Sequence, residues 1–537
     1  MAAIRTIRQD DFTGGLNLRA DQFQLGPNES PKMLNVEIDP RGGVFSRGAM
    51  RSIATAITPT NWSPEVLMTF YADVHYLMLS TGKTGATNGN VFYSTGGTFT
   101  GLSVPVSEEH GASFAPWGDD LYMATGLGSA SYKWATSGSL ILSAMSVSGP
   151  TWQNSYTSGL SGVHMPKAKH AVTHAGKLFV ANTIEDGVLN PDRIRWSHPN
   201  SPGNWAEQDY IDINTGSSGI TAMTVFAGHL LIFKHNAVFA VFGYDSDTFQ
   251  VVEISRNVGA GTPHAVCTTE SGVYFFSYPD GLMFYNGERI SDLFEAIRPA
   301  MELGNINPNA IDEVYVNYVN RRVWVSLPYS DDTPPSYPSV SFVYDPSISQ
   351  RGAWILFSSA DGYGAAGGCT YTSTTGQTQH VIAHPALPVV LQVDMYNNSY
   401  DNIDGITEQQ FNSRYRTRWI DAGSYSQKKM FRRPDIVVKQ AIASSSIIVK
   451  AYGDYEESES GEIRQYSISV PASSGGTVWG TSVWGSTWGG VNLGSQLISG
   501  RSIGLAKAVQ LEFVGPIGVS WGINSYTLKY NPRKVVA

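Results

Sequence analysis

The residues of this chain whose types and spacing suit chemistry fall into a few short stretches. His170-Ala-Val-Thr-His174 places two histidines four apart, the spacing at which a helix offers both rings to one zinc ion. A zinc protease carries a glutamate directly after the first histidine, where this chain has Ala171. The surrounding residues alternate as a strand does, and residues four apart in a strand lie roughly 13 Å from each other. The pair therefore predicts no metal site. Ser80-Thr-Gly-Lys-Thr84 ends like a phosphate-binding loop, but the leading glycine of that motif falls at Leu77 and a strand pattern follows. Without a helix N-terminus to hold the phosphate, the stretch predicts a hairpin turn.

Glycoside hydrolysis would need paired carboxylates, or a tyrosine with a glutamate and an arginine cluster, converging on one cleft. The candidates are Asp119, Asp120, Asp186, Glu313, Asp331 and Asp332. Most lie in turn sequences, where aspartate serves to hydrogen-bond its own backbone. Ser197-His-Pro-Asn-Ser-Pro-Gly-Asn-Trp205 lacks the aspartate of a sialidase hairpin. The acidic run from Asp454 to Glu462 lacks the alternating oxygen ligands and the glycine of a helical calcium loop, and reads as a solvated hairpin tip. No catalytic residue, cofactor site or metal site is assigned from these patterns, and the chain is expected not to be an enzyme. Two stretches remain as binding candidates. The basic turn Lys428, Lys429, Arg432, Arg433 suits first a plain exposed turn, then an acidic neighbour and last DNA, and the Trp-Gly tract at Trp479, Trp484 and Trp488 suits a sandwich core, a subunit interface or a sugar.

The elements that would position such residues are strands. From Ala168 to Gly287 one unit recurs, a small-residue turn, an alternating apolar run, a second turn and a run ending on an aromatic. Its copies are His174-Ala-Gly-Lys-Leu-Phe-Val-Ala-Asn182 with Arg193 to Ser197, Phe226-Ala-Gly-His-Leu-Leu-Ile-Phe233 with Ala237 to Phe242, and Glu270-Ser-Gly-Val-Tyr-Phe-Phe276 with Gly281 to Tyr285. A return every 40–50 residues or so is the period of a four-stranded propeller blade. Similar runs at Leu67 to Tyr93, Ala112 to Trp134, Val314 to Phe357 and Gly364 to Val393 bring the count to roughly seven blades, with six as the alternative. The expected fold is all-β: an N-terminal arm and hairpin over residues 1–60, a β-propeller over 61–400 and a C-terminal β-sandwich over 401–537.

Composition agrees with many short strands. Charged residues are 15% of the 537, aromatics 12%, and there are 55 glycines. The net charge of −9 disfavours general nucleic-acid binding, which needs cations to displace counterions from phosphates. Two cysteines cannot make a multi-disulfide framework, so assembly in a reducing cytoplasm is expected. The first residues hold no apolar core of signal-peptide length, and no run is long enough to span a membrane.

Four features coincide further: the arm Phe12-Thr-Gly-Gly-Leu-Asn17 with Asn28 to Pro31 and Gly42 to Gly48, the segment from Arg195-Trp-Ser197 to Pro202-Gly-Asn-Trp205, the Gly281 to Gly287 blade end, and the Lys428 to Arg433 turn leading to the Trp-Gly tract. Together they resemble the β-propeller tail proteins of tailed bacteriophages, most closely the nozzle, or tail tubular B, proteins of short-tailed phages. The resemblance implies a structural virion protein of the tail, assembled in the host cytoplasm. It implies a homo-oligomeric ring, usually sixfold, below the portal and adaptor rings and near tail fibres or spikes, through which genomic DNA is ejected without sequence-specific binding. An acidic wall suits such a conduit, since it repels phosphates over roughly 8–10 Å at physiological salt. Phe12, Leu16, Lys428, Lys429, Arg432, Arg433, Trp479, Trp484 and Trp488 are the candidate contacts with other subunits or the adaptor. Another neck or baseplate component, a packaged-DNA stabiliser and a glycan-active propeller enzyme are the alternatives.

Overall fold

Two-residue turns set the pattern of the structure. Ala175-Gly176 and Ala227-Gly228 have φ of 47° and 68°, and of 49° and 79°, the backbone of a type I′ hairpin, whose twist matches the strands it joins. They connect Lys167–His174 to Lys177–Glu185 and Ala222–Phe226 to His229–Lys234. A computed structural model describes residues 4–533 apart from 22–23, 54–63, 73, 136–140, 146–164, 216–217, 246, 303–304, 331–334, 360–361, 374–375, 396–399, 406, 440–444, 457–460, 471–494 and 516–519.

Seven four-stranded antiparallel sheets follow one another, blades I to VII. Their first strands are Pro64–Tyr71, Ser113–Trp117, Lys167–His174, Ala222–Phe226, Val266–Thr268, Tyr315–Val319 and Gly367–Thr372. From blade II round to blade VII and back to I, each first strand packs beside the next, so these strands line the axis of a seven-bladed β-propeller. Apolar clusters fill the seams. Phe70 and Tyr76 of blade I meet Trp134 of blade II, Tyr122 of blade II meets Leu178 and Trp205 of blade III, and Phe179 and Trp196 of blade III meet Phe239 of blade IV. Leu67 and Phe92 of blade I pack with Tyr371 and Val381 of blade VII. Each such side chain contributes about 1.5–3 kcal/mol by leaving water.

Blade VII takes its fourth strand from the other end of the chain. Ala49–Ser52 pairs antiparallel with Val390–Met395, with Ser52 opposite Leu391 and Arg51 opposite Gln392. This completes the blade with an outer strand, so that Val390–Met395 is not left as an edge. The rest of the N-terminal segment builds the sandwich. Arg5–Gln9 and the hairpin of Val36–Ile38 with Val44–Ser46 join the sheet containing Asp435–Lys439 and Gly522–Pro532. Lys32–Leu34 extends the facing sheet through Ser413–Arg416, next to Val509–Gly515. The N-terminal segment, read above as an arm and hairpin over residues 1–60, thus gives strands from Arg5 to Ser52 to both sandwich sheets and to blade VII, besides the short pair Gly15–Leu16 with Glu29–Ser30.

That placement corrects part of the expected contact surface. Phe12 and Leu16 are 0% and 2% exposed; Phe12 packs edge-on against Tyr415 at 5.2 Å and against Tyr526 at 6.2 Å. Both belong to the chain's own core, where their apolar area is already removed from water. Lys429 is also buried, its Nζ donating to the carbonyls of Lys507 at 2.7 Å and of Ser424. Lys428, Arg432 and Arg433 stay exposed. Trp479, Trp484 and Trp488 lie outside the described residues.

One buried ion pair joins the arm to both bodies. Arg47, fully buried, donates to Asp401 Oδ1 at 2.9 Å and Oδ2 at 2.6 Å, to Asn35 Oδ1 at 2.9 Å and to the Gly48 carbonyl. Its guanidinium lies over the rings of Phe411 at 3.7 Å and Tyr363 at 4.3 Å. Asp401 Oδ1 also accepts from Met50 N at 2.9 Å, inside the strand that closes blade VII.

Candidate functional site

The lead-in ends of several first strands bring polar side chains together where the blades meet the axis. Glu65 is the second residue of blade I, His110 precedes the first strand of blade II by three positions, and His264 precedes that of blade V by two. Tyr315 opens blade VI, just after Glu313. Local sequence explains these positions. Pro263 starts the short 3-10 turn Pro263–Ala265, with its φ preset for a first helical position. Asn307 Oδ1 caps the turn Pro308–Glu313 by accepting from Asn309 N at 3.1 Å. Gly111 has φ of 78°, and a Cβ there would stand 3.0 Å from Glu65 Cβ and 3.1 Å from Val66 Cγ2. Only glycine lets the His110 loop approach blade I this closely.

Glu65, His110 and His264 each offer one ligand atom, and these atoms lie within 4.8 Å of one another. His264 Nε2 is 3.8 Å from Glu65 Oε2, with side chains 7% and 11% exposed. The His264 ring stacks on Tyr315 at 4.8 Å and meets the His110 ring edge-on at 5.4 Å. Tyr315 Oη is hydrogen-bonded to Glu65 Oε2 and lies 3.1 Å from Glu313 Oε2. A phenol has one proton to give, so satisfying both bonds requires one carboxyl to be protonated and to donate. Burial, then the neighbouring Glu313, pushes the Glu65 carboxyl well above the ordinary range, which marks it as that acid. Burial holds His264 well below its usual value, as a neutral imidazole.

Beside the cluster, and sharing His110 with it, is a cavity of about 340 Å³ lined also by Lys169, His170, Asn182 and the Ser218 to Thr221 segment. His170 Nε2 is 3.3 Å from the Ile220 carbonyl, which also accepts from Asn182 Nδ2 at 3.2 Å. Burial, and next the charge of Lys169, lowers His170 to about 3 from 6.5. A folded-state value below the unfolded one means that the native protein binds fewer protons, so this stabilisation is complete above about pH 6.5 and is lost toward pH 3. His170→Gln keeps an N–H for Ile220 but cannot titrate. Wild type is expected to lose about 3 kcal/mol more than this variant between pH 7 and pH 4 in urea unfolding; equal losses would sink the assignment.

The structure sorts the residues singled out in the sequence. His170 and His174 do not meet, since His174 packs against Phe179 instead. Ser80-Thr-Gly-Lys-Thr84 is a strand end and turn, with Thr84 bridged to Thr87. Asp119 and Asp186 are exposed in turns, and Asp120 pairs with Lys133 at 2.7 Å. Asp331 and Asp332 lie outside the described residues. Glu313 alone of those carboxylates reaches the cluster, and its partner there is Glu65. The two converge on one phenol oxygen, which leaves no space between them for a glycosidic bond. Sequence reasoning missed Glu65, His110 and His264. Their common signal is position, at or just before the first strand of a blade.

No protein-family model and no curated protein matches the chain. Among solved structures it is similar to a streptogramin B lyase, with 11% identity and a TM-score of 0.39 over 65% of this chain and 97% of that one. So distant a likeness says nothing about activity, and the propeller assignment rests on the sheet topology. Among the described residues no helix is long and apolar enough to cross a membrane.

Proposed function

We propose that this chain is a structural subunit of a bacteriophage tail, a nozzle protein that assembles into a ring through which DNA leaves the particle. The observation that carries the reading is the charge placement on the sandwich. Lys428, Arg432, Arg433 and Arg533 are exposed on neighbouring strand ends, where Arg533 N donates to the Lys428 carbonyl at 3.1 Å. A basic patch on a chain of net charge −9 is complementary to the rest of another copy. The likeness in the arm, blade-end and basic-turn segments supports the same reading, and so does a propeller whose blade VII is completed by the chain's own N-terminal strand. The role is mechanical and requires no bound cofactor.

The test is the mass of the purified protein, alone and mixed with the adaptor ring of its particle. A ring of several copies is expected, formed alone or on the adaptor. Lys428→Glu with Arg432→Glu and Arg433→Glu should leave a folded monomer that assembles at least about tenfold more weakly. A wild-type monomer that ignores the adaptor would refute the proposal and return attention to a glycan-active propeller.

A further inference from the structure

We propose that Glu65, His110 and His264 bind one divalent transition-metal ion, Zn²⁺ or an ion of like preference, tying blades I, II and V together at the mouth of the axis. The inference is independent of the tail assignment. Two imidazoles and one carboxylate are a donor set suited to Zn²⁺ and its neighbours in the d-block, whereas Ca²⁺ and Mg²⁺ prefer oxygen alone. The geometry is close to what such an ion needs. Ligand atoms of a tetrahedral ion bonded at about 2.0–2.1 Å stand roughly 3.4 Å apart. The 3.8 Å between His264 Nε2 and Glu65 Oε2 is near that figure. It is too long for the hydrogen bond that would otherwise pair them.

The second observation is an orphaned atom. His264 Nε2 is buried and has no hydrogen-bond partner among the described residues, and its side chain is 7% exposed and faces Glu65. A buried polar atom with no partner is costly unless something absent from the protein itself satisfies it. When the ring proton sits on Nδ1, the unpartnered Nε2 carries a lone pair free for an ion. Glu65 has matching support once the ion displaces its proton: Tyr315, itself placed by Glu313, would then donate to the Glu65 carboxylate at Oε2. The cavity that His110 lines adjoins the cluster and has room for a water molecule as a further ligand. The ligands are separated by 45 and 154 positions in the chain, so one ion would close two long loops.

The test uses untagged full-length protein, stripped with a chelator and dialysed against Zn²⁺, Co²⁺, Ca²⁺ or Mg²⁺. We expect one equivalent of Zn²⁺ or Co²⁺ by elemental analysis, a raised melting temperature, and a Co²⁺ visible spectrum of four- or five-coordinate intensity with a nitrogen-containing ligand set. His264→Gln and Glu65→Gln should abolish binding, and Tyr315→Phe should weaken it by about 10–100-fold. His110, on a half-exposed loop, provides the control for folding. His110→Asn should keep the wild-type circular dichroism and elution volume while losing the metal. No equivalent bound by wild type, binding of Ca²⁺ or Mg²⁺ in preference, or retention of the ion by His110→Asn would each overturn the proposal.

Discussion

Replacing Arg47 with methionine is expected to lower the free energy of unfolding by about 3–5 kcal/mol, measured by urea denaturation. The loss does not come from the ion pair's own attraction, which in a buried site is largely offset by desolvation. It comes from the groups left behind. Asp401 would keep a buried charge with only Met50 N to satisfy it, and the Asn35 side chain would lose the Arg47 Nε–H while still accepting from Ser358 N. Arg47→Met combined with Asp401→Leu should recover part of the loss. A single variant as stable as wild type would show that the pair is dispensable.

Removing residues through Ser52 is expected to have a still larger effect and leave no soluble, folded monomer. The deletion strips Arg5–Gln9, Lys32–Leu34 and the Val36–Ile38 hairpin from the sandwich, and it opens blade VII. Val390–Met395 then becomes an edge with unpaired backbone groups, a template for aggregation. Net stability of a domain is only about 5–15 kcal/mol, the same order as the roughly 9–18 kcal/mol that burial of Phe12, Leu16, Met33, Val36, Val44 and Met50 together supplies. Soluble yield and near-ultraviolet circular dichroism would check this, with residues 1–53 co-expressed as the rescue. A truncated chain that melts cooperatively on its own would contradict it.

The blades were legible because their information is local. His174-Ala-Gly-Lys177 and Phe226-Ala-Gly-His229 carry both the turn and the alternation that flanks it, and each forms the hairpin those residues imply. The closing strand was not legible. Ala49-Met-Arg-Ser52 is four residues long, and its partner lies at Leu391 to Met395. Phe12 and Leu16 suggested docking because their segment is rich in glycine and turn residues; both are buried in the chain's own core, and the rings that meet Phe12 are those of Tyr415 and Tyr526. The axial cluster follows the same logic. His170 and His174 are near in sequence and apart in space, since a strand separates residues four apart. Glu65, His110 and His264 are far apart in sequence, and only closure of the ring brings them together.

The closing strand also sets a timetable for synthesis. Between Ser52 and Val390 the ribosome adds about 340 residues, which at roughly 5–20 residues per second takes on the order of 20–70 s. Arg5–Gln9 waits longer still, for Gly522–Pro532. Throughout that interval Arg5–Gln9, Lys32–Leu34 and Ala49–Ser52 have no native strand partner, while blades I to VI can form behind them. Neither the ring nor the sandwich can be finished on an incomplete chain. A truncated translation product therefore leaves its first strands open to quality-control proteases.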